Sequence, residues 1–290
     1  MHDEIDPVVK KYDKALNQAN PDKNKLFIQL SPEGIVFCIF NSELNKFLSI
    51  ESLKFEYGSR ISEVSLQLKD LYSRHNWLSQ PFQSVKLLLE NNKSTLIPSP
   101  LFDETETSAF SKFNFTLTDD EILLFHKLNN LDAYILYPFS SILSETVNEL
   151  FPTHSKFSLS GVFIEALLII NKNINSLKRI YVNSRINYLD IAILDGRKLL
   201  YYNTFGYRTK EDFIYYVIFV IEQLRLNPEE IELILSGNVD KNSRIFEIVY
   251  KYIRNVSFQR KTESFNYSYV INEIPPHHYF NLINLELCEL

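Results

Sequence analysis

Apolar residues in this chain fall into short continuous or alternating runs, separated by turn-forming clusters and by stretches with helical spacing. Residues 25–30, KLFIQL, form a strand. Ser31-Pro32-Glu33-Gly34 turns the chain, and the apolar run 34–40 completes a hairpin. Residues 41–45 make the next turn, and 46–57 read as a third strand ending at Gly58. A helix is predicted from Ser59, because Ile61, Val64, Leu68, Leu71 and Tyr72 share one face. Trp77 and the Ser-Gln-Pro segment close it, and residues 83–90 return as a strand, giving the order β-β-β-α-β.

The same order recurs more than 150 residues later. Residues 178–183 and 188–194 are strands joined through Ser184-Arg185, Asp195-Gly196 is a tight turn, and 197–205 is the third strand. A helix starts near Thr209, with Asp212 completing a capping box and Phe213, Val217, Val220 and Leu224 on its apolar face. Asn227-Pro228 stops it, and 231–235 is the returning strand. Between the copies, Thr118 to Glu121 reads as a capping box for a helix through about Leu131. Residues 133–137 form a strand, and residues 160–172 a helix burying Phe163, Ala166, Leu167 and Ile170. Residues 91–111, with two prolines and an Asp-Glu-Thr-Glu-Thr stretch, read as a mobile loop. The pattern divides the chain into a lead-in segment (1–24), a first half (25–172) and a second half (173–290).

At 290 residues with 45% hydrophobic and 23% charged residues, the composition is that of a folded globular protein with room for about two domains. The net charge of −6 offers no general attraction to nucleic acid or anionic membrane. The polar N-terminus lacks a secretory pattern, and apolar stretches such as 213–221 are too short to span a bilayer. The two cysteines, Cys38 and Cys288, are too few and too far apart for a disulfide framework, which fits a cytoplasmic protein. Cys38, inside an apolar strand, reads as core rather than nucleophile.

Candidate chemistry is sparse. Asp190 and Asp195 flank Ile-Ala-Ile-Leu, but a five-residue separation puts them on opposite faces of a strand, and the turn with Gly196 accounts for Asp195. His277-His278 follow two prolines at the start of a final helix, where adjacent histidines diverge, so no metal site is expected. Asp240 reads as a cap for the helix carrying Ile245, Phe246, Val249 and Ile253. One member each of Tyr201-Tyr202 and Tyr215-Tyr216 should face the core. No P-loop, Gly-x-Ser-x-Gly elbow or His-Glu-x-x-His motif is present.

The duplicated β-β-β-α-β units resemble the core shared by actin, sugar kinases and chaperone ATPases. The likeness is closer to pilus-assembly actin-like proteins, and closer still to a bacterial domain-of-unknown-function family best known from Bacteroidetes, which the segments LFIQLSPEGIVFCIF, STLIPSPLF, AYILYPF and LILSGNVDKNSRIF resemble. The resemblance implies an α/β, actin-like (ribonuclease H-like) fold, with two duplicated halves of mixed sheets flanked by helices. In active members of that superfamily each opening hairpin carries Asp-x-Gly, the acid ordering magnesium's water shell and the glycine admitting phosphate. The matching positions here are Gln29-Leu30-Ser31 and Asn183-Ser184-Arg185, with amides for both acids and side chains for both glycines. The superfamily's adenosine turn is matched by Ser236-Gly237, which an ordinary turn needing a positive φ explains better. The resemblance therefore implies a cleft lined by Gln29, Ser31, Asn183, Arg185, Ser236 and Gly237 but no resident cofactor, with ATP and magnesium disfavoured. The expectation is a catalytically silent protein acting through an unidentified protein partner or as a self-associating scaffold. The alternative is a nucleotide binder or slow ATPase with phosphate contacts rebuilt from Gln29, Ser31, Asn183 and backbone amides.

Overall fold

A computed structural model describes residues 7–17, 20–55 and 61–288. In chain order the strands and helices are β1 (Pro7–Tyr12), β2 (Asn24–Ser31), β3 (Gly34–Asn41), β4 (Lys46–Lys54), α1 (Ile61–Arg74), β5 (Ser84–Leu89), β6 (Thr95–Pro98), α2 (Thr107–Asn114), β7 (Glu121–Lys127), β8 (Ala133–Ser140), α3 (Ser141–Leu150) and β9 (Ser155–Ser158). They continue as α4 (Leu159–Ile170), β10 (Lys178–Ser184), β11 (Tyr188–Asp195), β12 (Lys198–Gly206), α5 (Lys210–Gln223), β13 (Glu232–Gly237), α6 (Arg244–Tyr252), β14 (Asn255–Phe258), β15 (Asn266–Tyr267) and α7 (Phe280–Asn284). The predicted start of α1 at Ser59 and the strand end at Gly58 lie outside the described residues.

The chain divides into two compact units. One comprises residues 1–162, 263–274 and 285–290, and the other 163–262 and 275–284. The first unit's main sheet runs β1-β4-β3-β2-β5-β9, with β15 also on β4. The second unit's sheet runs β12-β11-β10-β13-β14. In each, the opening strand pairs antiparallel with its hairpin partner and parallel with the strand after the helix: β2 with β3 and β5, β10 with β11 and β13. The repeat is longer than the five elements read from the sequence, because α3–β9 in one unit and α6–β14 in the other extend it in the same way. The third strands, β4 and β12, also slip register at the same place, opposite Ile39 and Phe40 of β3 and opposite Ile193 and Leu194 of β11.

The central strands are apolar because they are covered on both faces. Leu26, Phe27 and Ile28 on β2 are buried, as is Cys38 on β3, where burial pushes the thiol up. In the second unit Ile180, Val182, Leu189, Ile191 and Ile193 face Phe213, Val217, Val220 and Val249 from α5 and α6. Tyr201 and Tyr216 pack on that core, whereas Tyr215 is exposed. The capping box predicted at Thr209 and Asp212 is formed in both directions.

Four local expectations are corrected. Residues 7–12, placed in the lead-in segment, form edge strand β1, whose Tyr12 hydroxyl donates to Glu51. Residues 121–127 are a strand, not a helix. Thr118 N–H does donate to Glu121 Oε2 at 2.9 Å, but the cap-like contact starts a turn into β7, which pairs along its length with β8. The 91–111 segment carries β6 and the start of α2, part of an insertion between β5 and α3 whose three-stranded sheet runs β6-β8-β7. Helix α4 is buried nearly all round rather than on one face: Leu159, Val162, Ile164 and Leu168 are as inaccessible as Phe163 and Leu167. Among the described residues no helix is long and apolar enough to cross a membrane.

Candidate functional site

Gln29 and Asn183 hold equivalent register positions, each on the opening strand of its unit: Gln29 opposes Val36 on β3 and Asn183 opposes Asp190 on β11. In the first unit the Gln29 amide donates to Glu90 Oε2 at 2.9 Å, and Ser31 Oγ donates across its own turn to the Gly34 carbonyl at 3.1 Å. Both polar side chains are thus engaged within the hairpin and the end of the neighbouring β5.

The second unit builds a denser arrangement on the sheet face opposite its apolar core. Alternation along β10 sends Ile180 and Val182 to the core and Tyr181, Asn183 and the following Arg185 to the other face. Asp190, fully buried on β11, is the hub. It accepts from Asn183 Nδ2 (2.9 Å), the Arg185 guanidinium (2.9 Å), Thr204 Oγ1 (2.7 Å) and the Tyr202 hydroxyl (3.2 Å). Arg185 is itself buried and lies over the Tyr188 ring, and Tyr207 donates to the Arg185 carbonyl. Burial pushes the Tyr207 hydroxyl above its ordinary range, outweighing its contacts with Ser184 and Arg185, so it remains a donor.

Ser236 and Gly237 end β13 beside Asn183 and Ser184. Ser236 Oγ donates to Asn183 Oδ1 at 3.4 Å. Gly237 has φ of +80°, and a Cβ there would overlap the Ser184 carbonyl oxygen. The turn's backbone donors are engaged as well. Gly237 N–H reaches the His277 carbonyl (2.7 Å), Asn238 N–H the Ser184 carbonyl (2.7 Å) and Val239 N–H the Gly237 carbonyl (2.9 Å).

Asn183, Arg185, Ser236 and Gly237 are therefore brought together in the second unit, while Gln29 and Ser31 share a hairpin in the first. Asp190 is the residue that sequence reasoning undervalued. Its neighbour in sequence, Asp195, lies apart and accepts from Ser176 at 2.8 Å. The signal was available, since a lone acid between Leu189 and Ile191 in a central strand must be given a buried cation, and Arg185 is the nearest. Asp240 does not cap α6, whose cap is Ser243, with Phe246 N–H donating to its Oγ. His277 and His278 sit in the turn before α7, not within it, and Asp240 lies against them.

The fold matches solved structures over most of the chain. A Bacteroides thetaiotaomicron protein of actin-like ATPase fold and unknown function superposes with a TM-score of 0.79 at 24% identity, covering 93% of this chain and 97% of that one. The PilM–PilN type IV pilus biogenesis complex gives a TM-score of 0.60 at 11% identity, covering 92% and 98%. Among curated proteins, none matches the sequence. The architecture is the actin-like fold, and both similarities speak to fold alone. Residues 13–256 match the family described as "Protein of unknown function (DUF3822)", and the chain belongs to that family.

Proposed function

We propose that this is a catalytically silent actin-like protein that works by binding another protein. One observation supports the proposal: the groups that the sequence resemblance assigns to phosphate binding are already committed to internal partners. Gln29 serves Glu90, Ser31 its own turn, and Asn183 and Arg185 serve Asp190. The amides of Gly237 and Asn238 serve the carbonyls of His277 and Ser184. A phosphate would have to displace these bonds, and each buried group left without its partner costs about 1–3 kcal/mol. Magnesium would meet amides at Gln29 and Asn183, and the neighbouring carboxylates that hard cations prefer, Glu90 and Asp190, are already bonded to those amides. Partner binding is supported by the PilM–PilN complex, in which a protein of this fold is found with a protein partner.

The test is thermal unfolding with millimolar Mg-ATP. A silent protein keeps its melting temperature, whereas a nucleotide site filled to a hundred times its Kd would add about 2.7 kcal/mol of stability. A reproducible rise would overturn the proposal in favour of a nucleotide binder with rebuilt contacts. Sedimentation over a range of concentrations then separates a partner-binding monomer from a self-associating scaffold.

A further inference from the structure

We propose that Asp240, His277 and His278 form a binding site for a late first-row divalent metal ion, Zn²⁺ being the representative. One ligating atom from each residue lies within 4.8 Å of the other two, all in the second unit. His278 Nε2 and Asp240 Oδ1 are 3.0 Å apart. Tetrahedral ligands at zinc distances sit about 3.4 Å from one another, so the set is wider than a filled site and would have to draw in around an ion.

His277 supplies a second, independent observation. Its Nε2 lies 2.6 Å from the Val239 carbonyl oxygen, which can only accept, so the ring hydrogen is assigned to Nε2. The lone pair of the neutral ring is then on Nδ1. That atom is buried, in a side chain only 6% exposed, and has no hydrogen-bond partner. A histidine that donates one nitrogen to a backbone carbonyl and presents the other as an unused lone pair has the arrangement of a metal-ligating imidazole. The neighbouring contacts hold this geometry. The His277 ring stacks on Phe258 with centres 4.4 Å apart and stands at 87° to the His278 ring, so the two imidazoles are not parallel competitors for space.

Two imidazoles and one carboxylate select zinc, cobalt, nickel or copper over magnesium or calcium, which take all-oxygen sets. The Asp240 side chain is 62% exposed, leaving the fourth position to water. An ion here would tie the loop after β13 to the turn before α7. The proposal does not depend on the nucleotide question, because none of the three ligands belongs to the phosphate-binding positions.

The test strips the full chain with a chelator and titrates it with Co²⁺, with Zn²⁺ as competitor. The expected result is one equivalent of cobalt giving a visible absorption band that zinc abolishes. His278→Ala and Asp240→Ala should each weaken binding about tenfold or more. Both side chains reach solvent, so the metal-free variants should melt as the wild type does, which keeps loss of binding distinct from loss of fold. No bound equivalent in the wild type would overturn the proposal, as would unchanged affinity in both variants.

Discussion

Replacing Asp190 by asparagine removes one charge from the middle of the second unit's sheet, and its cost follows from the contacts around it. The carboxylate is fully buried and accepts four hydrogen bonds, three of them on Oδ1 from Arg185, Tyr202 and Thr204, and one on Oδ2 from Asn183. In Asp190→Asn the carboxamide oxygen can keep the three, but its NH₂ then faces the NH₂ of Asn183. That amide must flip, exchanging its contact with Ser236. The flip repairs the hydrogen bonds but not the charge, and the buried Arg185 guanidinium loses the charge of this carboxylate. Removing one member of a buried pair costs about 3–5 kcal/mol. With a urea m-value of about 1–3 kcal/mol/M, the unfolding midpoint should fall by about 1 M or more. The single tryptophan, Trp77, lies in the first unit. Far-UV circular dichroism, with amide exchange over 178–206, is therefore the suitable probe. Arg185→Met should also destabilise, yet the double variant should be no worse than Asp190→Asn alone, a coupling of about 2 kcal/mol. Strict additivity, or a cost for Asp190→Asn below about 1 kcal/mol, would refute the assignment of Asp190 as the counter-ion of Arg185.

Gly237→Ala combines a positive φ with overlap on the Ser184 carbonyl and should cost about 2 kcal/mol or more, read as a lower urea midpoint. A neutral result would mean that the turn after β13 is free to relax. In the first unit, burial lowers the His126 imidazole to about 4 from 6.5, so as pH falls the unfolded chain takes up its proton first. Its contribution to stability is therefore intact above about pH 6.5 and declines between 6.5 and 4, by about 3 kcal/mol in all. His126→Gln should flatten that part of the pH profile relative to wild type, and an unchanged slope would assign the acid sensitivity to other groups.

The elements legible in the sequence are those whose pattern and packing agree. Strand β10 alternates because one face meets α5 and the other the Asp190 network, and Thr209 with Asp212 announces α5 because both capping bonds form. Helix α3 was not legible. Its buried face, Leu143, Ser144, Thr146 and Val147, is half hydroxyl, and it meets α1 through a Ser65–Thr146 hydrogen bond of 2.6 Å, so no apolar stripe marks it. Strand β7 was misread because Thr118 and Glu121 make a genuine local contact that a hairpin can use as well as a helix. Strand β1 lies at a sheet edge with Val8 exposed, and edge strands carry little alternation. At the candidate sites, the matching places of Gln29 and Asn183 on the two opening strands could be read directly. The meeting of Asp240 with His277 could not, because only the tertiary fold joins residues so far apart in sequence.

The register slip shared by β4 and β12 bears on how such a protein changes over time. A bulge offsets every later residue of its strand relative to the partner, so losing it in one step would turn a row of core side chains toward the wrong face. Individual side chains carry no such penalty, and at the position opposite the opening strand one copy has come to hold Val36 while the other holds Asp190. The bulge behaves as a heritable frame that selection cannot edit piecemeal. The two halves correspond in where their strands slip even where their residues do not match.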